Sequence, residues 1–261
     1  MINKKSRDEI KRMCHAGHIV ALVHQKMKEV VEPGISTKEL DNIAMQIIKE
    51  NRAIPTFLGY HGFPGCICTS INEQVVHGIP SEKVILKEGD IIAIDVGATY
   101  GGLVGDSAWS YAVGKIAPDV EKLLKVTEES LYAGIEKMRP GNVLDDISKA
   151  IESVAKREGY GIVRQYGGHG VGHEMHEDPQ VPNYGRRGTG TMLKKGMCLA
   201  IEPMITQGSR EIIMERDGWT VRTKDRKFAA HFEHTVAVGK GKADILSSFE
   251  YIEQVLGNKS I

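Results

Sequence analysis

Several common signatures are missing from this chain. Its 261 residues contain 4 cysteines (Cys14, Cys66, Cys68, Cys198), scattered and without a pair of Cys-x-x-Cys motifs. That excludes a thiolate zinc site and reads as free thiols in a reducing cytoplasm. Basic and acidic residues balance at 34 each, so bulk charge draws the chain to neither nucleic acid nor an anionic membrane. No window approaches the uninterrupted apolar length of a membrane span. The start, Met1 to Arg7, runs into a charged amphipathic pattern with no apolar leader core. No Ser/Gly/Pro-rich linker divides the sequence. The expectation is a single domain over 1–261, with related halves near 1–115 and 116–240 and a C-terminal tail at 241–261.

What the chain does have is acid and imidazole in apolar places. Asp95 ends Ile91-Ile92-Ala93-Ile94, Glu202 ends Cys198-Leu199-Ala200-Ile201, and Glu233 interrupts Phe232 to Val236. Asp106 and His169 sit in similar stretches. A buried carboxylate is costly unless it is paired or binds metal. Four acids and one imidazole carry too much charge for one divalent ion and about enough for two.

An internal repeat explains how distant acids could meet. Leu86-Lys87-Glu88-Gly89-Asp90-Ile91-Ile92-Ala93-Ile94-Asp95 matches Leu193-Lys194-Lys195-Gly196-Met197-Cys198-Leu199-Ala200-Ile201-Glu202, 107 residues on. Pro33-Gly34 recurs at the same offset as Pro140-Gly141, and Ala112 to Lys115 echoes Ala237 to Lys240. Similar halves packed face to face would bring Asp95 and Glu202 into one cleft, with Asp106 and Glu233 as a second pair. Capping boxes at Ser6/Glu9 and Ser36/Glu39 predict helices to about Val30 and Asn51. Pro118–Met138 and Leu144–Glu158 also read as helices. Strands are expected around Cys66–Ile71, Asp90–Val96, Ser107–Val113, Met197–Ile205 and Phe232–Val238, with an amphipathic turn or helix near Phe249–Val255. Helices precede strands in each half, which argues for an α+β fold with an antiparallel-rich sheet.

Two divalent ions among carboxylates hold a water, lower its pKa and supply a hydroxide able to attack a carbonyl. Carboxylate and imidazole donors suit manganese, iron(II), cobalt, zinc or nickel. Asp95 could be bidentate to one ion and His169 complete the other; Asp106 and Glu233 could bridge, and Glu202 could ligate and take a proton. His169 lies in Gly167-Gly168-His169-Gly170, where glycines permit close backbone approach. His173-Glu174-Met175-His176 falls one residue short of the helical zinc motif His-Glu-x-x-His, and the glycines spell no phosphate loop. On spacing alone His77 and His176 are equally well surface histidines or hydrogen-bond donors to a developing oxyanion.

Taken in order, Tyr60-His61-Gly62-Phe63-Pro64, His77-Gly78-Ile79-Pro80, Asp95-Val96-Gly97, Gly105-Asp106-Ser107, Gly168-His169-Gly170-Val171-Gly172, His176-Glu177-Asp178-Pro179, Ile201-Glu202-Pro203 and Phe232-Glu233-His234-Thr235 resemble the type I methionine aminopeptidases over about residues 4 to 245. The resemblance implies a pita-bread fold, two pseudo-symmetric halves around a central antiparallel-rich sheet. It implies removal of the initiator methionine from nascent polypeptides by a cytoplasmic monomer working near the ribosome. It gives Asp95, Asp106, His169, Glu202 and Glu233 as ligands of two divalent ions. It makes His77 and His176 substrate-contacting, transition-state-stabilising groups, and places Tyr60, Phe63, Cys68 and Trp219 around the methionine side chain. Without it, the aromatics read as ordinary core. Only 32 residues separate His169 from Glu202, which excludes the long type II insertion. Phe57, Met175 and His231 depart from the family pattern, where a smaller residue, an aromatic and a glutamine are usual; they bear on pocket width and metal preference. An X-Pro dipeptidase or aminopeptidase P on the same fold is the alternative enzyme, though those usually add an N-terminal domain. A non-catalytic binding protein is a further alternative, opposed by the intact ligand set and the lack of a basic run.

Overall fold

The computed structural model describes residues 2–249. Two helices form where the capping boxes predict them: α1 (Arg7–Val30) and α2 (Thr37–Glu50). In each, the serine side chain accepts from the Glu backbone N–H three residues on, and that glutamate accepts from the serine backbone N–H. Such a cap is worth about 1 kcal/mol, so it sets where the helix begins rather than whether it survives. Survival comes from burial. Ile19, Val20, Val23 and Met27 of α1 pack with Leu40, Ala44 and Ile48 of α2 on the Ile91–Tyr100 strand. In the second half, α3 (Pro118–Ile135) and α4 (Leu144–Arg157) pack likewise on Leu199, Ile201, Ile205 and Val236. The α3 helix ends three residues before the expected Met138, which lies in the turn that follows.

The duplication extends to individual backbone bonds. Helix α4 lies 107 residues beyond α2 at both ends. The isolated bridge Ser36↔Ile85 recurs as Val143↔Met192. Leu86 N–H donates to the Ile35 carbonyl as Leu193 N–H donates to that of Asn142.

All named strand pairs are antiparallel. In the first half, strand Ile91–Tyr100 pairs with Ile67–Ile71, Ile54–Pro55 and, through a hairpin, Leu103–Ala112. In the second, the order is Ala243–Ile245, His234–Val238, Cys198–Ile201, Gly168–Gly170, Glu177–Val181. Two three-stranded groups complete the sheet structure described. The single strand expected over Met197–Ile205 is interrupted at Glu202-Pro203, and that expected over Phe232–Val238 begins only at His234, Phe232-Glu233 separating it from the strand Ala229–His231. Proline has no N–H to give a ladder. The register continues across the gap, with Ile201 opposite His234 and Met204 opposite His231. Glu202 therefore stands opposite Glu233. Part of the expected tail, Ala243–Ile245, is an edge strand on His234–Val238; most of the turn or helix expected near Phe249–Val255 lies outside the described residues.

Hydroxyl groups lace the halves where two strands meet without a ladder. Ser107 Oγ donates to the Glu233 carbonyl (2.7 Å), and Ser110 Oγ to that of His231 (2.8 Å). Thr235 Oγ1 accepts from Asp106 N–H (3.0 Å) and donates to the Asp106 carbonyl (2.8 Å). Glu233 N–H donates to the Ala108 carbonyl.

Candidate metal centre

Register places the acids on one surface. In the hairpin, Asp106 is opposite Gly97 and Ala108 opposite Asp95, so both aspartates project to the same face on the diagonal of the pair. Glu202 and Glu233 face each other from the second half. His169 pairs with Ala200, two residues before Glu202, and so shares its face. The glycines around it answer a steric need. A Cβ on Gly168 would sit 2.2 Å from the Ala200 carbonyl oxygen, and one on Gly170 2.2 Å from that of Asp178.

The resulting cavity of about 460 Å³ is lined by Asp95, Asp106, His169, Glu202 and Glu233 at its floor. His77, His176, Tyr60, Phe63, Cys68 and Trp219 line it too, as do Phe57, Met175 and His231. His169 Nε2 lies 3.7 Å from Asp106 Oδ2 and 3.4 Å from Glu202 Oε1. Its Nδ1 is 2.9 Å from the Gly170 carbonyl oxygen, which can only accept. The proton of neutral His169 is thus on Nδ1, and Nε2 offers a lone pair to the acids, as a metal-binding histidine requires. Asp106, His169 and Glu233 form one group whose donor atoms lie within 4.8 Å of one another, and Glu202, His231 and Glu233 form a second. Asp95 is in neither group. It stands beside Asp106 on the diagonal of the hairpin and lines the same cavity.

The wall contains buried polar atoms that make no hydrogen bond: Asp95 Oδ1, Asp106 Oδ1, Glu233 Oε1 and His231 Nε2. Leaving even one such atom unsatisfied costs about 1–3 kcal/mol. Four converging on one cavity fit a bound cation, and the hard carboxylate and borderline imidazole donors fit a divalent one. Burial first, then neighbouring acids, pushes the carboxyls of Asp95, Asp106 and Glu233 well above the usual range; burial does the same to Glu202. Burial likewise pushes His169 down to about 4, so it is neutral at ordinary pH. Carboxyls that hold protons must release them to ligate a cation, whereas neutral His169 need not. Fewer protons in the complex means that lowering the pH favours the free protein. Cation binding near pH 7 should therefore release protons, and apparent affinity should fall with pH. Titration calorimetry in buffers of different ionisation enthalpy checks this; heats independent of buffer would contradict it.

Above the floor, Tyr60 Oη is 2.9 Å from His176 Nδ1, and the rings of His169 and His176 lie 4.3 Å apart, tilted by 53°. His77 has φ 60, a left-handed conformation uncommon outside glycine and frequent at functional sites. Its ring faces Trp219 edge-on, centroids 6.5 Å apart, and Trp219 packs edge-on against Phe63 at 5.1 Å. Burial lowers His77 to about 4, so it too is neutral. Cys68 pairs with Asp95 across the strands. Burial, then the Asp95 charge, pushes its thiol well up, which makes it a neutral lining group. A salt bridge between buried Lys5 and Glu177 (2.5 Å) anchors the neighbouring loop, since Glu177 also accepts from the N–H groups of His173 and Glu174.

Sequence reasoning marks His231 only as a departure from a pattern and does not place it at the centre. Period-two alternation from Glu233 puts it on the same face. The lacing hydroxyls Ser107, Ser110 and Thr235 also escape a sequence reading; polar residues inside apolar strands are their only signal. His24 and His234 are buried among structural partners, Tyr111 and Ser107 for the first and Ser247 for the second, and take no part in the cavity.

The sequence matches the model of Metallopeptidase family M24 over residues 11–240. It is 54% identical over 247 residues to methionine aminopeptidase 1 of Bacillus subtilis (strain 168), covering 95% of this chain and 99% of that one. Among solved structures, the methionine aminopeptidase of Thermotoga maritima superposes with a TM-score of 0.94 at 43% identity, over 95% of this chain and 100% of the other. A prolidase from Pyrococcus furiosus shares the fold at 23% identity and TM-score 0.73, and this chain spans 65% of its length.

Proposed function

The chain belongs to metallopeptidase family M24, and we propose that it is a metal-dependent aminopeptidase that removes the initiator methionine from nascent polypeptides whose second residue is small. The observation that carries this reading is the convergence of unpartnered acid and imidazole atoms beside an apolar recess. We assign two divalent ions to Asp95, Asp106, His169, Glu202 and Glu233, with Glu233 contributing to both donor groups. Ions so held supply Lewis acidity and a nucleophile at neutral pH. Glu202, its proton affinity raised by burial, is suited to accept a proton during attack on the first peptide bond.

The remaining residues bind and orient. Burial raises the Tyr60 phenol, which stays protonated; we assign it as the donor in its 2.9 Å contact with His176 Nδ1. Neutral His176 then keeps its own proton on Nε2, free to donate to a substrate carbonyl as charge develops there. His77, neutral and held by its left-handed backbone, is placed to contact the peptide beside Trp219. Tyr60, Phe63, Cys68 and Trp219 form an apolar recess for the methionine side chain. A thioether gains about 0.3–1.5 kcal/mol from each aromatic contact beyond burial. Phe57 and Met175, both buried, narrow and soften that recess. No described helix is long and apolar enough to cross a membrane. The four cysteines are free thiols, which accords with a reducing compartment such as the cytoplasm.

The test strips the metal and assays Met-Ala-Ser and Ala-Pro peptides as manganese, iron(II), cobalt, zinc and nickel are restored singly. Release of methionine from Met-Ala-Ser is expected, with Ala-Pro left essentially uncut. Preference for Ala-Pro would instead support the X-Pro reading. No cleavage with any metal, in folded protein, would favour a binding role.

A further inference from the structure

His231 lies on the cavity face two residues before Glu233, in the strand Ala229–His231. It is 2% exposed. Its backbone is fixed twice by one hydroxyl: the N–H donates to Ser110 Oγ and the carbonyl accepts from it. The side chain is less settled. Its Nε2 is 3.5 Å from Glu202 Oε2 and 3.9 Å from Glu233 Oε2, yet makes no hydrogen bond. Donors at about 2.0–2.2 Å from one ion stand no more than roughly 4.4 Å apart. Both separations satisfy that limit, as do those from His169 Nε2 to Asp106 and Glu202. Glu202 therefore turns Oε1 to one imidazole and Oε2 to the other. The five-residue set gives a nitrogen donor on one side only; the geometry supplies a second nitrogen on the opposite side.

We infer that His231 is a sixth ligand, binding through Nε2 the divalent ion shared by Glu202 and Glu233. This rests on the two-metal reading above. Each ion then has one imidazole donor of its own. Exchanging oxygen for nitrogen at the second position shifts preference away from manganese toward the borderline ions cobalt, nickel and zinc. Loss of the ligand should therefore weaken cobalt more than manganese.

The experiment loads metal-free protein with cobalt(II), measures stoichiometry and affinity by equilibrium dialysis, and records the proton spectrum for strongly shifted exchangeable imidazole signals. Wild type should bind two cobalt ions and show two such signals, one filling with each equivalent. H231Q should keep the first ion and signal, lose the second signal, and bind the second ion about tenfold or more weakly, a loss of the size seen when metal-site partners are removed. Manganese affinity should fall less. Two bound ions with only one shifted imidazole in wild type would overturn the assignment, and that result needs no variant to fold. Equal second-site affinity in H231Q and wild type would also overturn it. If wild-type protein bound no cobalt, the metal reading itself would fall, and this inference with it.

Discussion

Replacing Asp106 with asparagine should cut kcat by about three orders of magnitude or more. Asp106 is 1% exposed, contacts the His169 side of the cavity, and leaves Oδ1 without a protein partner. Asparagine keeps the shape and one carbonyl oxygen but removes a charge from a cage whose purpose, on our reading, is to hold cations. Metal-assisted attack is worth several kcal/mol, and losing roughly 4 kcal/mol is a thousandfold in rate. The same change should not harm the metal-free fold. The Asp106 backbone, not its side chain, makes the bonds to Thr235, and the substitution relieves repulsion among buried acids. Metal-free D106N should therefore melt no lower than metal-free wild type. Metal analysis, single-turnover kinetics and thermal melts settle the matter together; near-normal turnover would contradict the two-metal model.

Removing the His77 imidazole should cost roughly 10²–10³-fold in kcat, the usual effect of deleting one donor aimed at developing charge, while metal content stays unchanged. His77 lines the cavity but belongs to neither donor group. The left-handed backbone there makes H77N the companion to H77A, because asparagine tolerates that conformation better than most residues. Because burial keeps His77 neutral down to about pH 4, its loss should lower activity by a constant factor between about pH 6 and 8. If H77A lost metal instead, His77 would be a ligand and its assigned role would be wrong.

Much of the architecture is readable because local signals agree with the tertiary outcome. Two serine capping boxes start α1 and α2, and their apolar stripes meet a sheet that buries them. The Ala-Ile-Asp and Ala-Ile-Glu endings expose both the duplication and the residues at the cavity floor, since an acid that closes an apolar strand is costly until the fold brings something to meet its charge. Less readable are features that depend on distant partners. The Met197–Ile205 run looks like one strand until Pro203 withholds a hydrogen bond and Glu202 is turned to the cavity. Ala243–Ile245 has no strong strand pattern and pairs because His234–Val238 offers a free edge. The position of His231, which the sequence marks only as a departure from the family pattern, stays hidden for a related reason. A histidine beside Phe232 is unremarkable in sequence, and only the register across the interrupted ladder shows what it faces.

The hydroxyl contacts of Ser107, Ser110 and Thr235 decide more than cohesion between the halves. Asp95 and Asp106 belong to the first half; His169, Glu202, His231 and Glu233 belong to the second. The gap between the two sets of assigned donors is therefore a distance between the two halves, spanned by the bonds of these three hydroxyls and by the Glu233 N–H bond to the Ala108 carbonyl. Ligand identity can be copied into each half by duplication, but ligand spacing cannot, because it exists only where the copies join. A change at one of those hydroxyls should shift the spacing between the two sets without replacing any assigned ligand.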